Sequence, residues 1–379
     1  MSLMFRASVL LIFLFLQSGC SSYPKYPVDA SFLEESIQTT VDSKAAQYYL
    51  NHYLQGDRLD LELDREIDQV YQKYGAPLPT RDQLQQISRK FSNDFAALFL
   101  VDRLWADERN QNIQRLFHHQ LARPPSELFS PPKNASEYLI LLVPGWNYLD
   151  TGHVTGSNFA APGVMIDRLK IENELVPIPP TGSVFQSAEV IAQSILRHSK
   201  GDRKIIVVGA SAAGPSIHYT LGGLLDHQQL GSVVAWVNLG GILQGSPLVD
   251  YFQKWPQKLV MNMVLFFWGW DNDEIMTMSA QQTRERTKTL ELPPDLTVIN
   301  YLGLSLTGDL SPLSIYKYPI IEDQGPNDGL TPLVDIIAPG SITLTATRSD
   351  HYFSQDPEID IKTIAIVKTI IEIIEQRSP

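Results

Sequence analysis

Five short apolar runs, separated by stretches of helical periodicity, decide what this chain can fold into. They are Leu139–Val143 (LILLV), Ile205–Val208 (IIVV), Val233–Val237, Thr297–Leu302 and Ile342–Thr345. Between them Val184, Ala188, Ile191, Ala192 and Ile195 fall on one face of a helix, as do Ile217, Leu221, Leu224 and Leu225. A third such set, Ile364, Val367, Ile370, Ile371 and Ile374, closes the chain. A strand that is apolar at successive residues has both faces buried, which an exposed antiparallel hairpin does not need. Strands of that kind alternating with helices specify an α/β fold with a mostly parallel central sheet flanked by helices. No internal repeat is visible.

The first third lacks this texture. Ala30–Arg123 reads as helical: Ala45, Tyr48, Tyr49 and Tyr53 share a face, and Ser92–Asp94 opens a second helix carrying Phe95, Leu98, Phe99, Leu104 and Trp105. Pro124-Pro125 and Pro131-Pro132 bracket a linker. The expected organisation is a helical N-terminal extension over 30–132 and an α/β unit over 133–379. His118 and His119 invite a metal reading, but adjacent helical residues point about 100° apart and rarely share an ion.

The chain opens with Arg6, the apolar run Val9–Leu16 and the small residues Ser18-Gly19, followed by Cys20. That is the layout of a secretory signal peptide over 1–19; the apolar run is shorter than the ~20 residues a spanning helix needs. Ser18-Gly19-Cys20 resembles the lipobox of bacterial lipoproteins, where the cysteine is acylated and becomes the mature N-terminus. Gln17 stands where an aliphatic residue is usual. The resemblance implies lipid attachment at Cys20, a polar tether over 20–29, and a place in the cell envelope with the membrane as partner. Cys20 is the sole cysteine, so an internal disulfide and any multi-cysteine zinc site are excluded. A formal net charge of −12 argues against nucleic acid as a partner.

The chemistry-bearing motif is Lys204–Gly214, KIIVVGASAAG. An apolar strand runs into Gly209-Ala210-Ser211-Ala212-Ala213 and then into a helix. A serine on such a tight strand-to-helix turn needs small residues two positions before and after it, here Gly209 and Ala213. The segment resembles the G-x-S-x-G nucleophile elbow of the α/β-hydrolases, lipase- and esterase-like serine hydrolases of bacteria, with Ala213 in place of the second glycine. Upstream, Leu139–Trp146 (LILLVPGW) resembles the strand whose following turn helps build the family's oxyanion hole, although Pro144 stands where histidine is usual. The resemblance implies Ser211 as nucleophile and the backbone N–H groups of Ala212 and Trp146 as oxyanion donors.

Gln324–Pro332 (QGPNDGLTP) resembles the Asn-Asp-Gly-Leu-x-Pro loop that carries the acid in many bacterial lipases, which points to Asp328; Asp323 and Asp335 are competitors. His351 follows the Ile342–Thr347 strand, just before the last helix, where the family's histidine lies. Ser211, Asp328 and His351 keep the order of that fold. The expected activity is hydrolysis of an ester or lipid-like small molecule without a cofactor or metal. The same residues would serve a peptidase, amidase or thioesterase, and a silent binding lipoprotein on this fold is the alternative from another class. His218 reads as structural.

Ile242–Leu296 is an insertion where α/β-hydrolases carry a cap. Its Leu259–Trp270 run (LVMNMVLFFWGW) is either a lid lining an acyl pocket or touching lipid, or a helix buried against a core; the buried reading is favoured because apolar helices usually face a core.

Overall fold

A computed structural model of the chain describes residues 23–377. The segment 1–19, expected to be a signal peptide, and Cys20, the expected site of lipid attachment, lie outside the described residues.

The central sheet has six strands: β3 (Tyr138–Val143), β4 (Glu172–Leu175), β5 (Lys204–Ala210), β6 (Val233–Leu239), β7 (Thr297–Leu304) and β8 (Ile342–Thr347). They lie in the order β4-β3-β5-β6-β7-β8, and every neighbouring pair is parallel. Side chains alternate between two buried faces, as the continuous apolar runs require. Ile140, Leu142, Ile206 and Val208 pack with helices α5 (Glu108–Leu121), α7 (Ala160–Arg168) and α14 (Ile359–Arg377). Leu139, Leu141, Ile205 and Val207 pack on the opposite face, with α8 (Val184–His198) and α9 (Ala213–Tyr219). Because the strands are parallel, their carboxyl ends share one edge, and loops leaving that edge converge where sites form in open α/β sheets.

Two elements depart from the sequence reading. The chain from Tyr26 is an antiparallel hairpin, β1 (Tyr26–Phe32) with β2 (Glu35–Val41), so neither the tether to residue 29 nor helix from Ala30 describes it. Val28 and Phe32, and Ile37 and Val41, are buried four residues apart with Ala30 and Thr39 half-buried between them, so one face of each strand is turned inward. Helix begins at α1 (Lys44–Asn51), capped by Ser43, and continues through α2 (Leu61–Tyr74), α3 (Arg81–Lys90) and α4 (Asn93–Trp105), whose cap is Ser92 as expected. These helices and the hairpin bury Tyr49, Phe95 and Phe99 in one cluster with Leu302, Leu304 and Ile336, so the extension is packed onto the carboxyl end of β7.

Helix α5 belongs to the sheet. Asn110 Oδ1 accepts from Thr343 N–H at 2.7 Å and Gln114 Oε1 from Thr345 N–H at 3.0 Å, while Gln114 Nε2 donates to Thr345 C=O at 3.0 Å. Two side chains one helical turn apart thereby satisfy the outer rim of edge strand β8, which would otherwise invite another chain.

Between β3 and β4 lie α6 (Tyr148–Thr155) and α7; between β6 and β7 lies the cap, α10 (Pro247–Phe252), α11 (Gln257–Trp268), α12 (Asn272–Met276) and α13 (Ala280–Thr287). Among the described residues no helix is long and apolar enough to cross a membrane.

Candidate active site

Ser211 occupies the turn between β5 and α9 with φ of +54°, in the left-handed region that a residue with a β-carbon enters only under constraint. The constraint is local. Ser211 N–H donates to Leu239 C=O at 3.1 Å, and Ser211 C=O accepts from Gly214 N–H at 3.0 Å and Ile242 N–H at 3.2 Å. Small neighbours make room: a β-carbon on Gly209 would lie 2.1 Å from Ile217 Cδ1 and 3.2 Å from Ala213 Cβ, and one on Gly145 would lie 3.6 Å from Ser211 Cβ.

His351 and Asp328 meet this serine. His351 Nδ1 lies 2.7 Å from Asp328 Oδ2, and His351 Nε2 lies 2.8 Å from Ser211 Oγ. A carboxylate can only accept, so Nδ1 carries the proton toward Asp328 and Nε2 presents a lone pair to the serine hydroxyl. Asp328 is held for this bond. Its Oδ1 accepts from Leu330 N–H and Thr331 N–H, both at 2.9 Å, leaving Oδ2 for the imidazole. Gly329 allows the turn at φ of +96°, where a β-carbon would strike Ser314 Oγ at 2.7 Å. The histidine loop is tied to the aspartate loop by His351 N–H donating to Asp328 C=O at 3.1 Å. Asp328 and His351 are buried and Ser211 is half-buried, so the serine is the member open to a reactant.

The competing acids are elsewhere. Asp335 is ion-paired with Arg81 at 2.9 Å and Arg284 at 3.6 Å, and Asp323 is exposed on a short 3₁₀ turn. His118 pairs with Glu35 at 2.6 Å, and no cluster able to hold a metal occurs among the described residues. His218 is buried beside Trp236, and burial, with Arg286 nearby, pushes its imidazole down to about 4.

The backbone N–H groups of Ala212 and Trp146 have no acceptor among the described residues, and both residues line the same cavity as Ser211. The cavity has a volume of about 1120 Å³. Ordinary small-molecule sites run to roughly 300–1,000 Å³. Apolar side chains dominate its wall. On one side it runs under the cap, against Val249, Met261, Val264 and Trp268; on the other it enters between the sheet and α14, against Leu142, Val208, Val237, Ile366 and Ile370.

The cap helix corrects the buried reading of Leu259–Trp270. Of α11 only Leu265 is buried, while Phe266 is 82% exposed and the preceding Trp255 is 80% exposed. Leu259 and Met263 complete an outward apolar stripe at helical spacing. The inward face roofs the cavity, and Trp270, just past the helix, meets Trp146 edge to face at 4.6 Å. The sequence reading did not identify the cavity wall contributed by α6, α7 and α14, because those residues look like ordinary core until the strands bring them to Ser211.

No protein-family model matches the chain, and neither does any curated protein sequence. Solved structures do. A metagenomic carboxyl esterase, MGS0156, superposes with a TM-score of 0.53 at 16% identity, over 66% of this chain and 78% of that one. The Bacillus licheniformis lipase BlEst2 in its propeptide form gives 0.50 at 17% identity, over 64% of this chain. The chain matches about half of that protein's length, 51%.

The fold is that of the α/β-hydrolases.

In α/β-hydrolase terms β5 and α9 form the elbow, the loops after β7 and β8 bring Asp328 and His351, and the insertion after β6 is the cap. The structure brings Ser211, His351 and Asp328 into hydrogen-bond contact and puts Ala212 and Trp146 on the wall of the same cavity.

Proposed function

We propose that this chain is a serine hydrolase that cleaves carboxylic esters through an acyl-enzyme on Ser211. The observation that carries the reading is the unbroken hydrogen-bonded line Asp328–His351–Ser211, ending at the half-buried serine in an apolar cavity. A serine hydroxyl is a poor nucleophile at neutral pH, so a base must take its proton as it attacks. His351 Nε2 accepts it. Asp328 holds the imidazole in the required tautomer and stabilises the imidazolium that forms. The oxyanion of the tetrahedral intermediate is held by the free N–H groups of Ala212 and Trp146; removing one such donor typically costs about 3–4 kcal/mol of transition-state stabilisation. His351 then protonates the leaving alcohol, and water repeats the sequence on the acyl-enzyme.

The apolar wall favours esters with hydrocarbon chains over peptides, whose many amide groups would lose hydrogen bonds to water there. The carboxyl esterase and lipase whose structures the chain resembles are in keeping with this. Envelope anchoring rests on the signal-type segment and on Cys20 being the sole cysteine. Acylation at Cys20 would leave two residues between the lipid and the described chain at Tyr23. The outward stripe Trp255, Leu259, Met263 and Phe266 on the cap suits work at a lipid surface.

A fluorophosphonate probe tests the chemistry. Wild-type protein should be labelled at Ser211 and the Ser211→Ala variant should not; a folded wild-type protein that resists the probe would overturn the reading. For anchoring, Cys20→Ala should move the protein out of the membrane fraction; unchanged fractionation would overturn that part alone.

A further inference from the structure

The cavity beside Ser211 carries one feature that ester hydrolysis does not use. Lys317 lies on its wall, and among the described residues no aspartate, glutamate or arginine does. Lys317 Nζ donates to Tyr352 Oη and sits 4.5 Å from the centre of the Tyr352 ring. It forms no ion pair with a carboxylate among the described residues. Asp350 attracts its charge, but both Asp350 oxygens are engaged by backbone, accepting from Ser311 N–H and Tyr352 N–H at 2.8 Å. Burial pushes the ammonium down to about 8, against that attraction, so the group remains largely charged at neutral pH. Lys317 thus stands on an apolar cavity wall with a tyrosine hydroxyl as its hydrogen-bond partner and Asp350 nearby, but with no carboxylate in ion-pair contact among the described residues. An ammonium has three donors, and holding it in apolar surroundings with a single neutral hydrogen-bond partner is unfavourable unless a ligand anion completes it.

Its position selects the part of the ligand. Tyr352, which Lys317 grips, is the residue after His351, and the two rings meet edge to face at 5.5 Å. The ammonium is therefore separated from the His351 ring by the single ring of Tyr352, while the walls beneath α11 and beside α14 are mostly hydrocarbon. Lys317 also stands next to Tyr316, which is 54% exposed, so its end of the cavity opens toward solvent.

We propose that Lys317 binds an oxyanion carried by the substrate, so that the esters cleaved are acyl esters of acidic lipids, with a phosphate or carboxylate head near the scissile bond and the apolar chains in the cavity. This rests on the ester-hydrolase reading for its reaction, but the anion site itself can be tested without turnover. The lysine touches substrate and acts as a specificity residue. Charge-assisted hydrogen bonds to an oxyanion are among the strong ones, which sets the expected discrimination at about ten-fold or more.

The binding arm uses the Ser211→Ala protein titrated with dodecyl phosphate and, separately, with dodecanol, both below aggregation, followed by fluorescence of the wall residues Trp146, Trp268 and Trp270. The phosphate amphiphile should bind about ten-fold more tightly, and adding Lys317→Gln should abolish the difference. Equal affinity for the two ligands, or a preference that survives Lys317→Gln, overturns the proposal. Inorganic phosphate alone should compete only weakly; competition as effective as that of dodecyl phosphate would mark a free-phosphate site and overturn the lipid assignment.

The turnover arm compares kcat/KM for an acidic and a neutral ester of the same acyl chain. The ratio should favour the acidic ester in wild type and fall toward unity in Lys317→Gln. Were Lys317 only a support for Tyr352 and His351, both esters would lose rate equally and Tyr352→Phe would behave the same way, which would overturn the proposal. With the lysine retained, Tyr352→Phe should keep the ratio, and it guards against misfolding of the lysine variant. Labelling of Ser211 by the fluorophosphonate probe is scored in parallel: loss of labelling with a retained Lys317-dependent preference would discard the hydrolase reading and leave the anion site standing.

Discussion

The loop that carries Asp328 and the helix that roofs the cavity are built on opposite plans. Asn327, Asp328 and Thr331 are at most 1% exposed, and each is fixed by hydrogen bonds to backbone within the loop or its neighbours. In α11 only Leu265 is buried, and apolar side chains face both the cavity and the outside. The acid loop sits at the carboxyl end of the sheet, where an error of about 1 Å can cost on the order of 100-fold in rate. The cap presents mostly apolar side chains to the cavity, and for contacts of that kind shape and area matter more than the placement of single atoms. In this account the sheet end fixes which bond is attacked, and the cap and the cavity wall fix which molecule is admitted.

The sharpest way to break that contrast is at the sheet end. Ser211→Ala or His351→Ala should lower kcat by roughly 10⁶ and Asp328→Asn by roughly 10⁴, and the Ser211–His351 double variant should be little worse than either single one. Additive losses would mean that the residues do not act as one unit. Gly303→Ala tests positioning without touching the three residues. Its β-carbon would meet Ser349 C=O at 2.8 Å and Asp350 C=O at 3.0 Å, displacing the backbone that leads to His351. A loss of about 100-fold in kcat is expected. An unchanged kcat would show that the histidine loop tolerates movement.

The cap should respond differently. Met261→Ser with Val264→Ser should lower kcat/KM for long-chain esters about ten-fold relative to acetate esters, since both side chains line the cavity. Phe266→Ser should leave the melting temperature unchanged because that ring is exposed, whereas Leu265→Ser should lower it. Equal losses on long and short esters would assign α11 to the fold rather than to selection.

A separate effect, on stability rather than on rate, concerns acid. Burial depresses the His218 imidazole to about 4 in the folded chain, against about 6.5 when unfolded. Between those values the unfolded chain binds the extra proton, so the stability present above pH 6.5 is lost as pH falls toward 4, by about 3 kcal/mol at most. His218→Phe should flatten the melting temperature between pH 6.5 and 4. A slope unchanged from wild type would assign the acid sensitivity to other groups.

Much of this was legible in the residues because the sheet is buried on both faces. The five apolar runs were extended by only one to three residues each in the structure, since a strand with no polar face announces itself. The strand Glu172–Leu175 was not found, because as a short edge strand with side chains in contact with water it has no apolar run. The hairpin Tyr26–Val41 was not found, because its buried residues lie four apart (Val28 and Phe32, Ile37 and Val41), a spacing that a helix also gives, among polar residues that read as tether and helix. At the site, Ser211, Asp328 and His351 were picked out by their resemblance to the elbow, acid loop and histidine position of the α/β-hydrolases and by their order along the chain, and the structure brings the three into contact. Lys317 was not: nothing in its neighbours reveals that the fold gives it a tyrosine hydroxyl and no carboxylate.

The most direct test of the central claim is mass spectrometry of the protein quenched during turnover of a p-nitrophenyl ester. An acyl group should be found on Ser211, with a burst of one p-nitrophenol per protein preceding the steady rate, and it should accumulate when deacylation is slowed. Turnover with no burst and no adduct on Ser211, or an adduct on another residue, would contradict the account.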